Sequence, residues 1–144
     1  MKTKLIISSL VLGILLCSGT PAMANTYDKY LGRWKGKVEI YNSTCPSVYP
    51  DGDIGTAIIK IKSIQSTGKL TAYVKYSTYD YKYQLTGKIN EDRIKFHYEM
   101  YDDVTTYDLS GKFKTDTKMR LHSFNNRPGT CDDGFNQRYI LKKL

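Results

Sequence analysis

Histidine and cysteine are scarce in this sequence, which limits the chemistry it can support. The chain has two histidines, His97 and His122, and three cysteines in 144 residues. Zinc and dithiol sites need several Cys or His residues at short spacings, and no such spacing occurs here. The alternation of residue types points both histidines outward on separate predicted strands, with no carboxylate or nucleophile at a catalytic spacing. We therefore expect no catalytic residue, no metal and no cofactor, and we do not predict an enzyme.

Long apolar runs are also missing, apart from one near the N-terminus. Leu5 to Leu16 is shorter than a membrane span and follows Lys2 and Lys4. It is followed by Ala22-Met23-Ala24, a small-x-small cleavage site. Residues 1–24 are thus predicted to be a signal peptide, and the protein to be secreted or periplasmic and not membrane-spanning. Cys17 leaves lipid attachment as an alternative. Leu16, just before it, is bulkier than residues usually found before a lipid-attachment cysteine, which argues against this alternative.

The predicted mature chain, residues 25–144, is long enough for one domain with a single core. Its net charge falls from +8 to +6, because the signal peptide carries two lysines and no acidic residue. Solubility is the simplest explanation of this positive charge. Two cysteines remain, Cys45 and Cys131. An even number of cysteines in an exported chain predicts a disulfide.

A helical period of 3.6 residues is absent after Leu31, whereas alternation of apolar and polar residues is frequent. The alternation predicts eight strands, with short turns between most of them. Their predicted inward residues are Trp34, Gly36, Val38 and Ile40; Ala57, Ile59 and Ile61; Leu70, Ala72, Val74 and Tyr76; Tyr81, Tyr83, Leu85, Gly87 and Ile89; Ile94, Phe96, Tyr98 and Met100; Tyr107, Leu109, Gly111 and Phe113; Met119 and Leu121; and Phe135, Gln137, Tyr139 and Leu141.

Eight strands joined in this way predict an all-β protein, an antiparallel up-and-down barrel without exposed edges. The lysines occupy the other face, so this face must meet water, unlike the lipid-facing wall of an outer-membrane barrel. In such a meander Cys45 and Cys131 lie in loops at the same end, beside the seam. A disulfide there would stabilise the fold by roughly 4–5 kcal/mol on the chain-entropy model.

Three glycines fall on inward positions in the middle of predicted strands: Gly36, Gly87 and Gly111. The last two belong to a weak repeat, in which residues 83–89 resemble residues 107–113. Glycine at such positions usually permits tight bending of a barrel wall, which is our preferred interpretation. The alternative is that these glycines leave room for a bound molecule.

The residues Lys-Tyr-Leu-Gly-Arg-Trp, ending at Trp34, resemble the opening of lipocalins, which carry Gly-x-Trp at the start of the first strand. Thr115-Asp116-Thr117 matches two of three positions of a second lipocalin motif, in the turn before the seventh strand. The resemblance implies that Trp34 plugs the closed end and that a late arginine packs over it, for which Arg127 and Arg138 are the candidates. Alternation points Arg138 outward. Avidin-like and other small calycin barrels share Gly-x-Trp, and the residues do not separate these groups.

Tyrosine is abundant on the predicted inner face, and a buried hydroxyl needs a partner. We predict that one small, partly aromatic or apolar ligand binds there. The predicted ligand-binding residues are Tyr76, Tyr81, Tyr83, Phe96, Tyr98, Tyr107, Leu109 and Tyr139. A core filled by its own side chains is an equal alternative, because an eight-stranded barrel has room for little more.

Aspartate gathers in the loops at the predicted open end. The predicted acidic rim comprises Asp51, Asp53, Asp102, Asp103, Asp132 and Asp133, with Asp80 beside it. Turn preference explains much of this pattern. Otherwise such a rim would attract a basic partner, so the alternative function is an inhibitor of lysozyme or of a protease that acts through its open-end loops. Export argues against a nucleic-acid partner.

Overall fold

The computed structural model describes residues 25–44, 46–47, 50–78, 80–99, 106–127 and 131–144. For residues 99, 106–107, 124–127 and 131–135 it describes the backbone alone. The predicted signal peptide, residues 1–24, lies outside the described residues, so its cleavage stays a prediction.

The described residues form one short helix and eight strands. In chain order these are a 3-10 helix over Asp28–Tyr30, β1 (Gly32–Tyr41), β2 (Gly52–Ile64), β3 (Lys69–Tyr76), β4 (Lys82–Asn90), β5 (Arg93–Glu99), β6 (Thr106–Thr115), β7 (Lys118–Arg127) and β8 (Cys131–Lys143). Each strand pairs antiparallel with the next, and β8 pairs with β1 to close the barrel. The predicted fold, an eight-stranded antiparallel up-and-down barrel, is confirmed.

Alternation along the strands builds the core as predicted. Trp34, Ile59, Leu85, Phe96 and Leu121 are among the side chains almost wholly removed from water. One irregularity lies in β2, where the register with β3 shifts between Ile61 and Ser63. This bulge leaves both Lys62 and Ser63 exposed and buries Ile64, a residue that strict alternation would point outward.

The N-terminal residues close one end of the barrel over Trp34. The Trp34 indole Nε1 donates a hydrogen bond to the Tyr30 carbonyl oxygen at 3.0 Å, and Trp34 is 0% exposed. The Tyr30 ring stacks on Phe113 with 3.7 Å between ring centroids. The Asn25 side-chain amide donates to the Ile64 carbonyl oxygen at 2.8 Å, which ties the segment before the helix to β2. We call this the Trp34 end.

The three mid-strand glycines let neighbouring strands approach closely. A Cβ added to Gly36, Gly87 or Gly111 would run into a backbone carbonyl oxygen of the adjacent strand, at Ile140, Lys95 or Arg120 respectively. The space in the Cβ direction is therefore occupied by backbone, and these positions leave no room there for a bound molecule. The structure supports wall bending as the reason for glycine at each of them.

Within the described part of the chain, no helix has the length and apolar character that crossing a bilayer requires.

Candidate functional site

Five tyrosines gather toward the end of the barrel opposite Trp34, which we call the mouth. These are Tyr76 at the end of β3, Tyr81 and Tyr83 before and within β4, Tyr98 on β5 and Tyr139 on β8. Their rings form a continuous group, with centroid distances of 5.0 Å for Tyr81–Tyr83, 5.7 Å for Tyr83–Tyr98, 6.2 Å for Tyr76–Tyr83 and 6.4 Å for Tyr76–Tyr139. These distances are typical of favourable aromatic pairs. We call the five the mouth tyrosine cluster.

A chain of hydroxyl groups runs through the cluster. The Tyr139 hydroxyl donates to Gln137 Oε1 at 2.9 Å, so its oxygen accepts from the Tyr76 hydroxyl, 2.8 Å away. Tyr98 in turn hydrogen-bonds with Tyr76. Each hydroxyl that leaves water thus keeps a partner, and no buried side-chain polar atom of the described residues is left without one.

Burial raises the pKa of the Tyr76 hydroxyl well above its usual range, and the neighbouring Tyr139 raises it further. The hydrogen bond with Tyr98 acts in the opposite direction and lowers this pKa. Tyr76 therefore stays a neutral hydroxyl, able both to donate and to accept, throughout the physiological range.

Exposure increases through the cluster from the core to the mouth. Tyr139 is 0% exposed and Tyr98 7%, whereas Tyr81 is 42% exposed. Tyr76 and Tyr83 lie between these limits. Aromatic surface is thus accessible at the mouth and continuous with buried hydroxyl groups below it.

The remaining predicted ligand-binding residues lie at different depths. Phe96 and Leu109 are buried in the core as neighbours across β5 and β6. The backbone of Tyr107 is opposite Tyr98, which places this residue at the level of the cluster, but its side chain lies outside the described residues. Tyr81 precedes β4 and is the most exposed of the predicted set whose side chains are described.

The described aspartates of the predicted rim are engaged within the chain. Asp53 accepts a hydrogen bond from the Gly55 backbone N–H at 2.8 Å and lies 3.5 Å from Lys37 Nζ, and both contacts lower its pKa. Asp51 accepts from the Ser43 backbone N–H at 2.9 Å. Asp80, beside the rim, is 2.7 Å from Lys75 Nζ, which lowers the pKa of its carboxyl.

Other predicted positions at the mouth fall partly or wholly outside the description. Asp102, Asp103 and Cys45 lie outside the described residues, as do the side chains of Asp132 and Asp133. Cys131 begins β8 at the mouth, but its side chain is not described either. The Cys45–Cys131 disulfide and the combined acidic rim stay predictions.

Cross-strand pairing also creates contacts that the sequence did not reveal. His97 and Asp108 face each other across β5 and β6 on the outer wall, with 2.7 Å between Nδ1 and Oδ1. The histidine therefore has the carboxylate neighbour that linear spacing did not indicate. Both side chains are exposed, and they lie on the opposite side of the wall from the mouth tyrosine cluster.

The cation over Trp34 differs from the one that the lipocalin resemblance implied. Lys143 Nζ lies 5.9 Å from the Trp34 ring and donates to the Lys29 carbonyl oxygen. Arg138 is instead on the outer wall, where two of its nitrogens contact Glu39 Oε2 at 2.7 and 3.0 Å. Arg127 lies at the mouth end of β7. The last residues of β8 thus supply the cation, as a lysine.

The described residues contain no group of three or more His, Cys, Asp or Glu side chains placed to hold a metal ion. No protein-family model matches the sequence, and no curated protein is significantly similar to it.

Proposed function

We propose that this protein is an exported, lipocalin-like binding protein that holds one small, partly aromatic or apolar ligand at the mouth tyrosine cluster. The observation that carries the proposal is the combination of the exposed ring of Tyr81 and the half-buried ring of Tyr83 with the partly buried hydroxyl chain from Tyr98 to Gln137. Such a surface offers an aromatic partner apolar contact and hydrogen bonds in one place.

The filled core limits how deeply a ligand can enter the barrel. Below the cluster the barrel is filled by Phe96, Leu109, Leu121 and Trp34, all almost completely buried. An eight-stranded barrel encloses only enough space for side chains or one small ligand. The ligand we propose is therefore shallow, with about one ring inserted among the tyrosines and the remainder at the mouth.

The lipocalin-like assignment is supported by the start of the barrel. Gly32-Arg33-Trp34 begins β1, the 3-10 helix precedes it, and Trp34 is buried at the closed end. The Thr115-Asp116-Thr117 turn joins β6 to β7 at that same end, and Asp116 Oδ1 is 3.0 Å from Nζ of Lys29, a residue of the 3-10 helix.

Two measurements test ligand binding. Native mass spectrometry of protein purified from its own host should show an additional mass that is lost on denaturation. Titration with N-phenyl-1-naphthylamine, a neutral aromatic probe, should show saturable binding to the purified protein. The absence of both would contradict the proposal.

A pair of variants locates the site. We expect Tyr83→Ala to weaken binding of the probe by about tenfold or more, because it removes the ring that links Tyr81, Tyr76 and Tyr98. The matched control is Tyr73→Ala, which removes a tyrosine from the outer wall, where Lys62 and Lys82 lie over its ring. Equal losses in the two variants would contradict a site at the mouth.

The same proteins distinguish the alternative inhibitor function. Asp53 and Asp80 are already paired with lysines of the chain, which reduces their availability to a basic enzyme. If lysozyme activity falls when the protein is added, and neutralising Asp132 and Asp133 abolishes the effect while Tyr83→Ala does not, the inhibitor function is supported. It replaces the ligand proposal if both tests of ligand binding are negative.

A further inference from the structure

The outer wall carries cations in rows that run across the strands. Lys69, Lys88 and Lys95 are directly opposite one another on β3, β4 and β5. A second row consists of Arg93, Lys112 and Arg120 on β5, β6 and β7. A third consists of Lys118, Lys142 and Lys35 on β7, β8 and β1. All nine side chains are exposed.

The three rows join into one band. Lys95 and Arg93 are two residues apart on β5, and Arg120 and Lys118 are two residues apart on β7. Neighbours within a row are about 5 Å apart at Cβ, and residues two apart on one strand are separated by about 7 Å. The band therefore continues around the barrel from β3 to β1 in steps of about 5–7 Å. We call these nine residues the basic band.

This arrangement opposes the stability of the fold. Like charges directly opposite each other in a sheet destabilise it, and every row contains two such pairs in succession. None of the nine side chains forms an ion pair with a carboxylate of a described residue. Lys114, beside the band, has its pKa lowered first by the charge of Lys112, then by desolvation and by the charge of Arg120, while Asp92 acts in the opposite direction. Positive charge is thus concentrated here, and no described carboxylate forms an ion pair with any of the nine side chains.

We infer that the basic band binds a flexible, acidic polysaccharide that wraps around the barrel wall. A linear polyanion can follow a band that turns around seven of the eight strands. When the band neutralises charges of the polyanion, the counterions condensed on the polyanion are released, and this release favours binding.

The shape and composition of the band disfavour other anionic partners. A planar membrane contacts only one side of a curved wall, and double-stranded DNA is stiff over roughly 150 base pairs. Single-stranded nucleic acids bind through aromatic stacking as well as charge, and no aromatic residue is among the nine. Seven of the nine are lysines, which act as point charges without the bidentate geometry of arginine. This inference goes beyond the proposed ligand site and does not depend on it.

The test uses heparin as a sulfated glycan, with neutral dextran for comparison. The band variant carries Lys88→Glu, Lys112→Glu and Lys142→Glu, the central residue of each row. The control variant carries Lys60→Glu, Lys62→Glu and Lys82→Glu, three exposed lysines outside the band with the same total change of charge. Each band substitution converts two like-charge pairs into opposite-charge pairs, so we expect the band variant to fold. Circular dichroism of both variants checks that each is folded.

Titration calorimetry at two salt concentrations should show heparin binding that weakens with salt, and no binding of dextran. We expect the band variant to lose affinity by about 30-fold or more and the control variant by about threefold or less. Equal losses of heparin affinity in the band and control variants would show that binding depends only on net charge, which would overturn the inference. It is also overturned if heparin does not bind, or if oligothymidine or phosphatidylglycerol vesicles bind more tightly than heparin of equal total charge.

Discussion

The hydroxyl group of Tyr76 should make the barrel sensitive to alkali in a way that a single substitution can isolate. In the folded protein the pKa of Tyr76 is well above its usual value, because the group is buried beside Tyr139. In the unfolded chain it loses its proton near the ordinary tyrosine pKa of about 10. Above that pH the unfolded state binds fewer protons than the folded state, so the free energy of unfolding falls as pH rises.

The size of the effect follows from proton linkage. One such group lowers the free energy of unfolding by about 1 kcal/mol between neutral pH and about pH 11. At about pH 8 the group contributes hydrogen bonds to Tyr139 and Tyr98, which are worth about 1 kcal/mol together with their packing. Tyr76→Phe should therefore be about 1 kcal/mol less stable than the natural protein at about pH 8, and equally stable or slightly more stable at about pH 11.

Urea unfolding followed by far-ultraviolet circular dichroism, repeated across this pH range, measures the difference. Tyr73→Phe is the control, because it removes a hydroxyl from the outer wall of the same strand and keeps Tyr76. Comparing proteins with the same remaining groups cancels the titration of the other tyrosines and lysines. A stability difference between natural protein and Tyr76→Phe that stays constant from about pH 8 to about pH 11 would refute the assignment of a buried, neutral hydroxyl.

Three further predictions concern the Trp34 end and the wall. Trp34→Ala should cost about 3–5 kcal/mol of unfolding free energy in urea unfolding, because a fully buried indole and its bond to Tyr30 are lost; a cost under about 1 kcal/mol would contradict the packing. Gly111→Ala should cost about 1–3 kcal/mol, since its Cβ meets the Arg120 carbonyl oxygen, while Ser110→Ala on the outer wall should change little. Lys143→Ala should lower the thermal midpoint by an amount equivalent to about 0.5–1 kcal/mol and Lys143→Arg should restore it; lack of rescue would argue against a cation over the Trp34 ring.

Alternation along single strands was enough to predict the architecture. In β4, for example, the positions of Leu85 and Ile89 show which face of the strand is buried, and this can be read without knowing which strands pair with β4. The same property placed Tyr76, Tyr83 and Tyr98 on the inner face. It also placed Tyr81 on that side, and the structure adds that this residue lies at the mouth and is largely exposed.

Contacts across strands could not be predicted, because they depend on register. His97 meets Asp108, and the three rows of the basic band form, only because particular residues of neighbouring strands are opposite each other. Register is set by bulges and turn lengths, and a shift of one residue would exchange the two faces of a strand. The bulge at Ile61 and Ser63 is an example: the alternation is broken between Ile61 and Ile64, but the residues of β2 alone do not distinguish a bulge from the end of the strand.

The seam between the first and last strands has a consequence for how the chain acquires its fold. Trp34 is opposite Lys143, and Tyr41 is opposite Asn136, so these partners are separated by most of the sequence. Hairpins such as β4–β5 can form independently, but the ring of hydrogen bonds closes only when β8 pairs with β1. Seven of the eight pairings between the described strands join neighbours in sequence, whereas the seam must bring distant residues together, which slows its formation. Until the seam forms, β1 and β8 each leave one strand edge unpaired. Closure of the seam should therefore be the step that limits how fast this protein reaches its native state.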